Sequence, residues 1–130
     1  MDNISGWVRQ ARHRAKKHGV PSYLTTEEAT EVVSYYGGLC AYCSERDAVT
    51  LDHAMPVVED GPNVQANILP CCRHCKFVKR NRSLVWMFSE GLISEELYMG
   101  RISQMLLRGG SSELRTIMRR DIGLIGGHNG

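Results

Sequence analysis

Apolar residues recur at helical spacing close to the start of the chain, and polar or basic residues fill the positions between them. Val8, Ala11 and Ala15 predict an amphipathic helix over residues 5–18, and Gly19 ends it. The apolar stripe is thin, so this helix is expected to pack one narrow face against the rest of the protein.

A second helix is predicted downstream with a defined start. Thr25 and Glu28 have the spacing of a capping box, in which each side chain satisfies a backbone N–H of the other residue. Ala29, Val32 and Val33 then occupy positions i, i+3 and i+4, which predicts one buried helical face.

The middle of the chain has a different pattern. Residues 48–51 predict a short strand that presents Asp52 and His53 at its end, and residues 68–69 predict a second strand. A helix is predicted from about residue 73 to residue 81. Two strands followed by a helix would form a compact finger.

The last third of the chain is predicted to be helical. Residues 84–88 form a short apolar run, Ser94 caps a longer amphipathic helix, and Ser112 opens another. We expect their apolar stripes to form core, or a surface for a protein partner or self-association. Residues 123–130 should fray as a flexible tail.

Composition is that of a globular protein. With 42% hydrophobic and 23% charged residues, wholesale disorder is not expected, and no apolar run reaches the roughly 18 residues of a membrane-spanning helix. The N-terminal segment is basic and lacks the apolar core of a signal peptide. We therefore expect a cytoplasmic protein that has no membrane partner.

The net charge of +2 conceals two basic segments. Residues 1–20 and 73–82 are rich in Lys and Arg, whereas residues 25–60 hold eight acids and one cation, Arg46. This distribution predicts a face that binds a polyanion, for which double-stranded DNA is the candidate partner, although either segment alone could be an ordinary solvated helix face. The candidate DNA-binding residues are Arg9, Arg12, Arg14, Lys16, Lys17, Arg73 and Arg82, and the candidates for supporting phosphate in an active site are Lys76, Lys79 and Arg80.

Four of the five cysteines form two Cys-x-x-Cys pairs, Cys40 with Cys43 and Cys72 with Cys75. An odd number of cysteines without an export signal favours thiolates that bind zinc over disulfides. Because four thiolates complete a tetrahedral site, this zinc is expected to be structural. Cys71 could replace Cys72 in principle, but only Cys72 keeps the two-residue spacing, so we interpret Cys71 as a small buried hydrophobe.

Asp52, His53 and Asn67 lie between the two cysteine pairs. Hydrolysis of a phosphodiester needs a base that activates water, a cation that stabilises the developing charge, and groups that hold the phosphate. His53 is a candidate base, and Asp52 is a candidate ligand for a hard divalent cation. Asn67 could bond to the His53 ring or to nearby backbone and so orient the ring. Each residue type alone is more often structural.

The joint spacing of these residues resembles the HNH family of ββα-metal (His-Me finger) endonucleases. The similarity covers residues 37–83, about a third of the chain. Its matching positions are Gly38 to Cys43, Leu51 to His53, Pro56, Gly61, Asn67 to Leu69, Cys72, Cys75 and Lys79.

The resemblance implies a zinc site at the four cysteines and cleavage that depends on Mg²⁺ or Mn²⁺ and leaves 5′-phosphate and 3′-hydroxyl ends. It implies His53 as general base, Asp52 as ligand of the catalytic metal and Asn67 as the orienting residue. Small stand-alone members of the family occur often in bacteriophages and mobile elements, which would place the protein in a host cytoplasm.

One position departs from the family pattern. The residue after the last zinc cysteine is usually Asn or His and is a second ligand of the catalytic metal, whereas this chain has Lys76, and a protonated lysine has no lone pair to give. Mg²⁺ could be held by Asp52, water and phosphate, or a differently shaped helix could bring His74 or Asn81 to the metal. A third interpretation is that cleavage is lost and a zinc-stabilised DNA-binding or regulatory module remains.

We therefore expect a small α+β protein, a ββα finger with one structural zinc and helices at both ends, that acts as a metal-dependent DNA endonuclease or nicking enzyme. The expected parts of this single domain, residues 1–130, are a basic helical arm at 1–20, the zinc-containing core at 25–83, a helical part at 84–122 and a tail at 123–130.

Overall fold

The structure is a computed structural model, and it describes residues 3–108. The helix predicted from Ser112 and the tail at 123–130 lie outside that range. None of the described helices is long and apolar enough to cross a membrane. In chain order the elements are α1 Ile4–His18, α2 Thr26–Tyr35, β1 Thr50–His53, β2 Ile68–Cys71, α3 Arg73–Lys79, α4 Leu84–Ser89 and α5 Glu95–Leu107, with short 3-10 turns at Val57–Glu59 and Gln65–Asn67.

The two strands form an antiparallel hairpin, and α3 follows directly. The register pairs Thr50 with Cys71 and His53 with Ile68. The α+β class and the ββα order are therefore confirmed. The first strand begins two residues later than predicted, because the N–H of Ala48 bonds to the Gly38 carbonyl at 2.9 Å and so leaves the ladder. Asp52 consequently lies inside the strand.

The hairpin lies between two apolar clusters. Helices α1 and α2 pack against its Leu51 and Ile68, and the cysteine segments pack with α4 and α5 against its other face. Side chains alternate along a strand, so Leu51 and His53 point toward one face of the hairpin and Asp52 toward α3. This alternation separates His53 from Asp52 and still keeps both close to the same edge.

Two helix boundaries show how local sequence acts. The capping box of α2 forms as predicted: the Glu28 N–H donates to Thr25 Oγ1 at 3.1 Å, and the Thr25 N–H donates to Glu28 Oε1 at 3.0 Å. Helix α3 ends at Lys79, two residues earlier than predicted, because Arg80 adopts a positive φ of 53°. Asn81 is therefore turned out of the helix.

Helix α5 is hydrogen-bonded to the segment around the first cysteine pair. Arg101 donates from Nε to the Ala41 carbonyl at 2.7 Å and from Nη2 to Ser44 Oγ at 3.1 Å. Along α5, Tyr98 and Met105 are buried and Leu106 is exposed. The described part of α5 thus belongs to the core around the cysteines, and a protein partner for it stays a prediction.

Candidate active site and metal centre

The four cysteines of the two pairs converge. The Sγ atoms of Cys40, Cys43, Cys72 and Cys75 all lie within 4.8 Å of one another, and those of Cys43 and Cys72 are 4.0 Å apart. A tetrahedron with zinc–sulfur bonds of about 2.3 Å has edges of roughly 3.8 Å, so this spacing fits a thiolate-bound metal. No disulfide joins any of the cysteines. The residues are therefore positioned to bind a metal ion.

Backbone N–H groups hold two of these sulfurs. The N–H of Tyr42 donates to Cys40 Sγ, and the N–H of Cys75 donates to Cys72 Sγ, each at 3.4 Å. A hydrogen bond from Cys71 lowers the pKa of Cys40, whereas burial raises the pKa of Cys75. Burial thus opposes ionisation of the Cys75 thiol, and a divalent cation in the cluster would favour its thiolate.

Cys71 lies outside this cluster. Its side chain is fully buried, and its thiol donates to the Cys72 carbonyl at 3.3 Å. Cys72, at the N-cap of α3, lies in the cluster together with Cys75.

Asp52 is enclosed by hydrogen-bond donors. Lys76 Nζ lies 3.0 Å from Oδ1, and Lys79 Nζ lies 2.8 Å from Oδ2. The Tyr42 hydroxyl donates to Oδ2 at 2.6 Å. Burial raises the pKa of Asp52, but the two lysines more than offset that effect and lower it to about 2. Asp52 is thus an ionised carboxylate whose two oxygens are both occupied by protein donors.

Lys79 is buried, whereas a residue that contacts substrate phosphate is expected to be accessible. Its side chain has no exposed surface, and its ammonium also donates to the His53 carbonyl at 2.9 Å. A charge in that position needs the Asp52 carboxylate as its partner. Lys79 therefore holds α3 to β1, and its role as phosphate or active-site support stays a prediction.

The His53 ring is fixed by a residue that sequence reasoning missed. Nε2 lies 3.0 Å from Asn63 Oδ1, and because a carbonyl oxygen only accepts, Nε2 carries the proton. Asn63 Nδ2 in turn donates to Ser22 Oγ at 3.0 Å. No other hydrogen bond of the ring occurs among residues 3–108, which leaves Nδ1 as the basic nitrogen.

Burial also sets the protonation state of His53. The side chain is 4% exposed, and desolvation lowers the pKa of His53 to about 4. The hydrogen bond to Asn63 opposes this shift, and the charge of Arg14 adds to it. The imidazole is consequently neutral at physiological pH.

Asn67 shapes the loop and does not contact the His53 ring. Its Oδ1 accepts from the Met55 N–H at 2.8 Å, and its Nδ2 donates to the carbonyls of Met55 and Pro62 at 2.9 and 2.8 Å. Gly61 lies in the same loop, where an added Cβ would sit 1.8 Å from the Met55 carbonyl oxygen. Of the two bonding modes expected for Asn67, the structure shows the one to nearby backbone.

A cleft of about 250 Å³ opens over Asp52 and His53. Three cationic residues line it: Arg14 from α1, Lys76 from α3, and Arg80 just after α3. Arg14 also donates from Nη2 to the Leu51 carbonyl at 3.2 Å. Asn81 is part of the lining, whereas His74 lies in a separate depression beside Arg46 and Phe77.

The other candidate DNA-binding residues lie outside this cleft. Arg9, Arg12 and Lys16 lie at positions i, i+3 and i+7 along one exposed flank of α1, and of the cations of that helix Arg14 alone lines the cleft. Lys17, Arg73 and Arg82 are exposed, and the Arg82 guanidinium stacks on the Trp86 ring at 4.4 Å.

Residues 40–81 match the family model described as HNH endonuclease. Over this segment the chain is similar to an HNH domain, the name used for the segment below. The match supports a nuclease-type function and, with it, a nucleic acid substrate. Neither the curated proteins nor the solved structures gave a match to this chain.

The family implies a catalytic divalent metal, and the residues of this HNH domain do not fit one at Asp52. Lys76 lies where the second ligand was expected and already bonds to Oδ1. A divalent cation about 4 Å from that ammonium would be repelled by roughly 8 kcal/mol at an effective dielectric constant of 20. Of the two alternative ligands, His74 and Asn81, only Asn81 lines the cleft, and it is exposed.

Proposed function

We propose that this protein is a DNA endonuclease or nicking enzyme that hydrolyses a phosphodiester bond in the cleft, with His53 as general base. The observation that carries the proposal is the state of His53 within the HNH domain. A neutral imidazole, held through Nε2 by Asn63, keeps Nδ1 available in a cleft whose walls are cationic.

The reaction follows from these groups. Water bound in the cleft loses a proton to His53 Nδ1, and its oxygen forms a bond to phosphorus. The bond from phosphorus to the 3′ oxygen breaks, and that oxygen takes a proton from a water molecule of the cleft, which leaves a 5′-phosphate and a 3′-hydroxyl. A base whose nitrogen is neutral at the working pH can take the proton directly.

We propose that the metal at the four cysteines is Zn²⁺ and that its role is structural. Cys40, Cys43, Cys72 and Cys75 would hold it and leave no open position for water or substrate. The bound ion would fix α3 against the hairpin. Lys76 follows a ligand directly, so the site also sets where that side chain starts.

The substrate would reach the cleft along cationic surfaces. Arg9, Arg12 and Lys16 form one exposed row on α1, and Arg14 lines the cleft from the other side of the same helix. Arg73 and Arg82 extend the positive charge around α3. Such residues would contact phosphates and would confer little sequence preference.

The test is conversion of supercoiled plasmid to open circles by purified protein, with and without Mg²⁺ or Mn²⁺. We expect His53→Ala to slow nicking about 10²- to 10⁴-fold, the usual effect of a lost general base, with DNA binding unchanged. His74→Ala is the matched control, because His74 is an exposed histidine outside the cleft. Equal nicking by wild type and His53→Ala would refute His53 as the base.

A second candidate function is a zinc-stabilised DNA-binding or regulatory module. The occupation of both Asp52 oxygens by Lys76, Lys79 and Tyr42 favours it, since a pure binding module has no need of a free carboxylate. A protein that retards DNA in a gel and never nicks it under any of the metal conditions would establish this alternative.

A further inference from the structure

We infer that the Lys76 ammonium takes the place of the catalytic divalent cation, so that this HNH domain cleaves DNA without Mg²⁺ or Mn²⁺. The inference rests on the proposed nuclease function and deepens it. It follows from the disagreement between the residues around Asp52 and the metal that the family implies.

The position of Lys76 is the first argument. The ammonium is held by Asp52 Oδ1 at 3.0 Å and by the Leu51 carbonyl at 3.4 Å, so it stays next to the carboxylate from which a metal would be bound. The side chain is 34% exposed and lines the cleft. One side of the ammonium is therefore anchored, and the other can meet a phosphate.

The second argument is the state of Asp52. Lys79 and Tyr42 occupy Oδ2, and Lys76 occupies Oδ1. The one lone pair that these three donors leave, on Oδ1, lies beside the Lys76 ammonium, whose charge would repel a metal ion bound there. The role left for Asp52 is to hold the Lys76 ammonium in place, which makes Asp52 a positioning residue.

The third argument is the charge that the cleft offers to a phosphate. Arg14 and Arg80 lie on the cleft wall together with Lys76. A guanidinium can bond two phosphate oxygens at once, and an ammonium acts as a compact point charge. The three side chains can supply the electrostatic stabilisation that a bound metal gives to the pentacoordinate phosphorus.

The step balances without a metal. His53 Nδ1 takes a proton from the attacking water, whose oxygen bonds to phosphorus as the bond to the 3′ oxygen breaks. Lys76 stays protonated and donates a hydrogen bond to the phosphoryl group as negative charge grows on it. The leaving oxygen takes a proton from a water molecule of the open cleft, and the resulting hydroxide takes the proton from His53.

The test is plasmid nicking after protein, DNA and buffer have been freed of Mg²⁺ and Mn²⁺ on a chelating resin. Zinc is measured before and after the assay, so that loss of the cysteine-bound metal is not mistaken for loss of a catalytic one. We expect wild type to nick under these conditions. Millimolar Mg²⁺ should not accelerate it, and should weaken binding by competing for phosphates.

Variants at one position separate the roles. Lys76→Met should slow metal-free nicking by about 10²- to 10³-fold, as expected for a lost group that stabilises the transition state, with zinc content unchanged. Arg108→Met is the control for removal of one positive charge, because Arg108 lies at the end of α5, outside the cleft and outside the proposed DNA-binding surfaces. Lys76→Asn restores a neutral ligand and frees Asp52 Oδ1, so it should lose metal-free nicking, bind Mg²⁺ more tightly and gain nicking that depends on it.

The outcomes differ for the two proposals. Nicking by wild type only with Mg²⁺ or Mn²⁺ overturns the role of Lys76 and leaves the nuclease in place, and loss of that activity in Asn81→Ala would identify Asn81 as the second ligand. Full metal-free nicking by Lys76→Met also overturns it. Absence of nicking under every condition overturns the proposed function and this inference with it.

Discussion

The cysteine cluster and the surroundings of Asp52 carry side chains of opposite charge, although the same hairpin and the same helix contribute to both. At the cysteine cluster, four potential thiolates surround a space that suits a cation. At Asp52, two ammonium groups and a hydroxyl surround one anion. Cys75 and Lys76 are neighbours in α3, yet Cys75 belongs to the cysteine cluster and Lys76 to the surroundings of Asp52.

The difference shows that the cysteine cluster and the surroundings of Asp52 depend on separate sets of residues. The cysteine cluster depends on four residues spread over two segments, so all four must be kept for the scaffold to be kept. The environment of Asp52 depends on which group follows Cys75. Lys76 at that position places a positive charge 3.0 Å from Asp52 Oδ1.

The largest effect is expected at the cysteine cluster. Cys75→Ser removes one of four ligands, and zinc binding contributes about 10–16 kcal/mol to folding in small zinc-finger peptides. We therefore expect loss of bound zinc and of cooperative unfolding, measured by metal analysis and by thermal melting. Cys71→Ser should keep one zinc per chain, and loss of zinc in that variant instead would mean that the ligand is Cys71.

An intermediate effect is expected at Asp52. Asp52→Asn leaves Lys79 buried without its carboxylate, which should lower the free energy of unfolding by about 3–5 kcal/mol in urea titrations of the zinc-loaded protein. Asp47→Asn, at an exposed position, is the control. If Asp52 serves chiefly as a metal ligand, removing its charge should have little effect or be stabilising, and that result would break the comparison.

The smallest effect is expected from protonation of His53. The pKa of His53 is lowered from 6.5 to about 4 in the folded protein, so the unfolded chain binds a proton over this range and the folded one does not. Stability should therefore be complete above pH 6.5 and fall by up to about 3 kcal/mol as the pH approaches 4.

The control for this pH dependence is His53→Ala. Thiolate protonation also weakens zinc binding in acid, so the quantity to compare is the slope of stability against pH in the two proteins. A slope shared by wild type and His53→Ala would show that His53 is not the group responsible.

Local patterns explain what could be predicted from the sequence. The capping box at Thr25 depends on residues three apart, and the spacing of the Cys-x-x-Cys pairs is itself the geometry of a metal knuckle. Both formed as predicted. The family resemblance likewise rests on spacing within residues 40–81, where the family model matches.

Side-chain partners distant in sequence could not be predicted. Asn63 reaches His53 only because the loop folds back over Gly61, and Arg14 reaches the cleft only because α1 packs on the hairpin. Lys79 shares a basic run with Arg80, yet its ammonium is buried and the Arg80 side chain is exposed. A positive φ at Arg80 separates them, and no spacing rule signals that turn.

The loop beside the cleft is held in shape by the hydrogen bonds of Asn63 and Asn67, which are both completely buried. Its shape is therefore set during folding, and little conformational entropy remains to be lost when a substrate arrives. Because the wall of the cleft is already ordered, any change of shape on binding would have to occur in the nucleic acid. DNA that is already kinked or easily bent would then enter more readily than a stiff duplex, so selectivity would come from the shape of the helix without contact to a base.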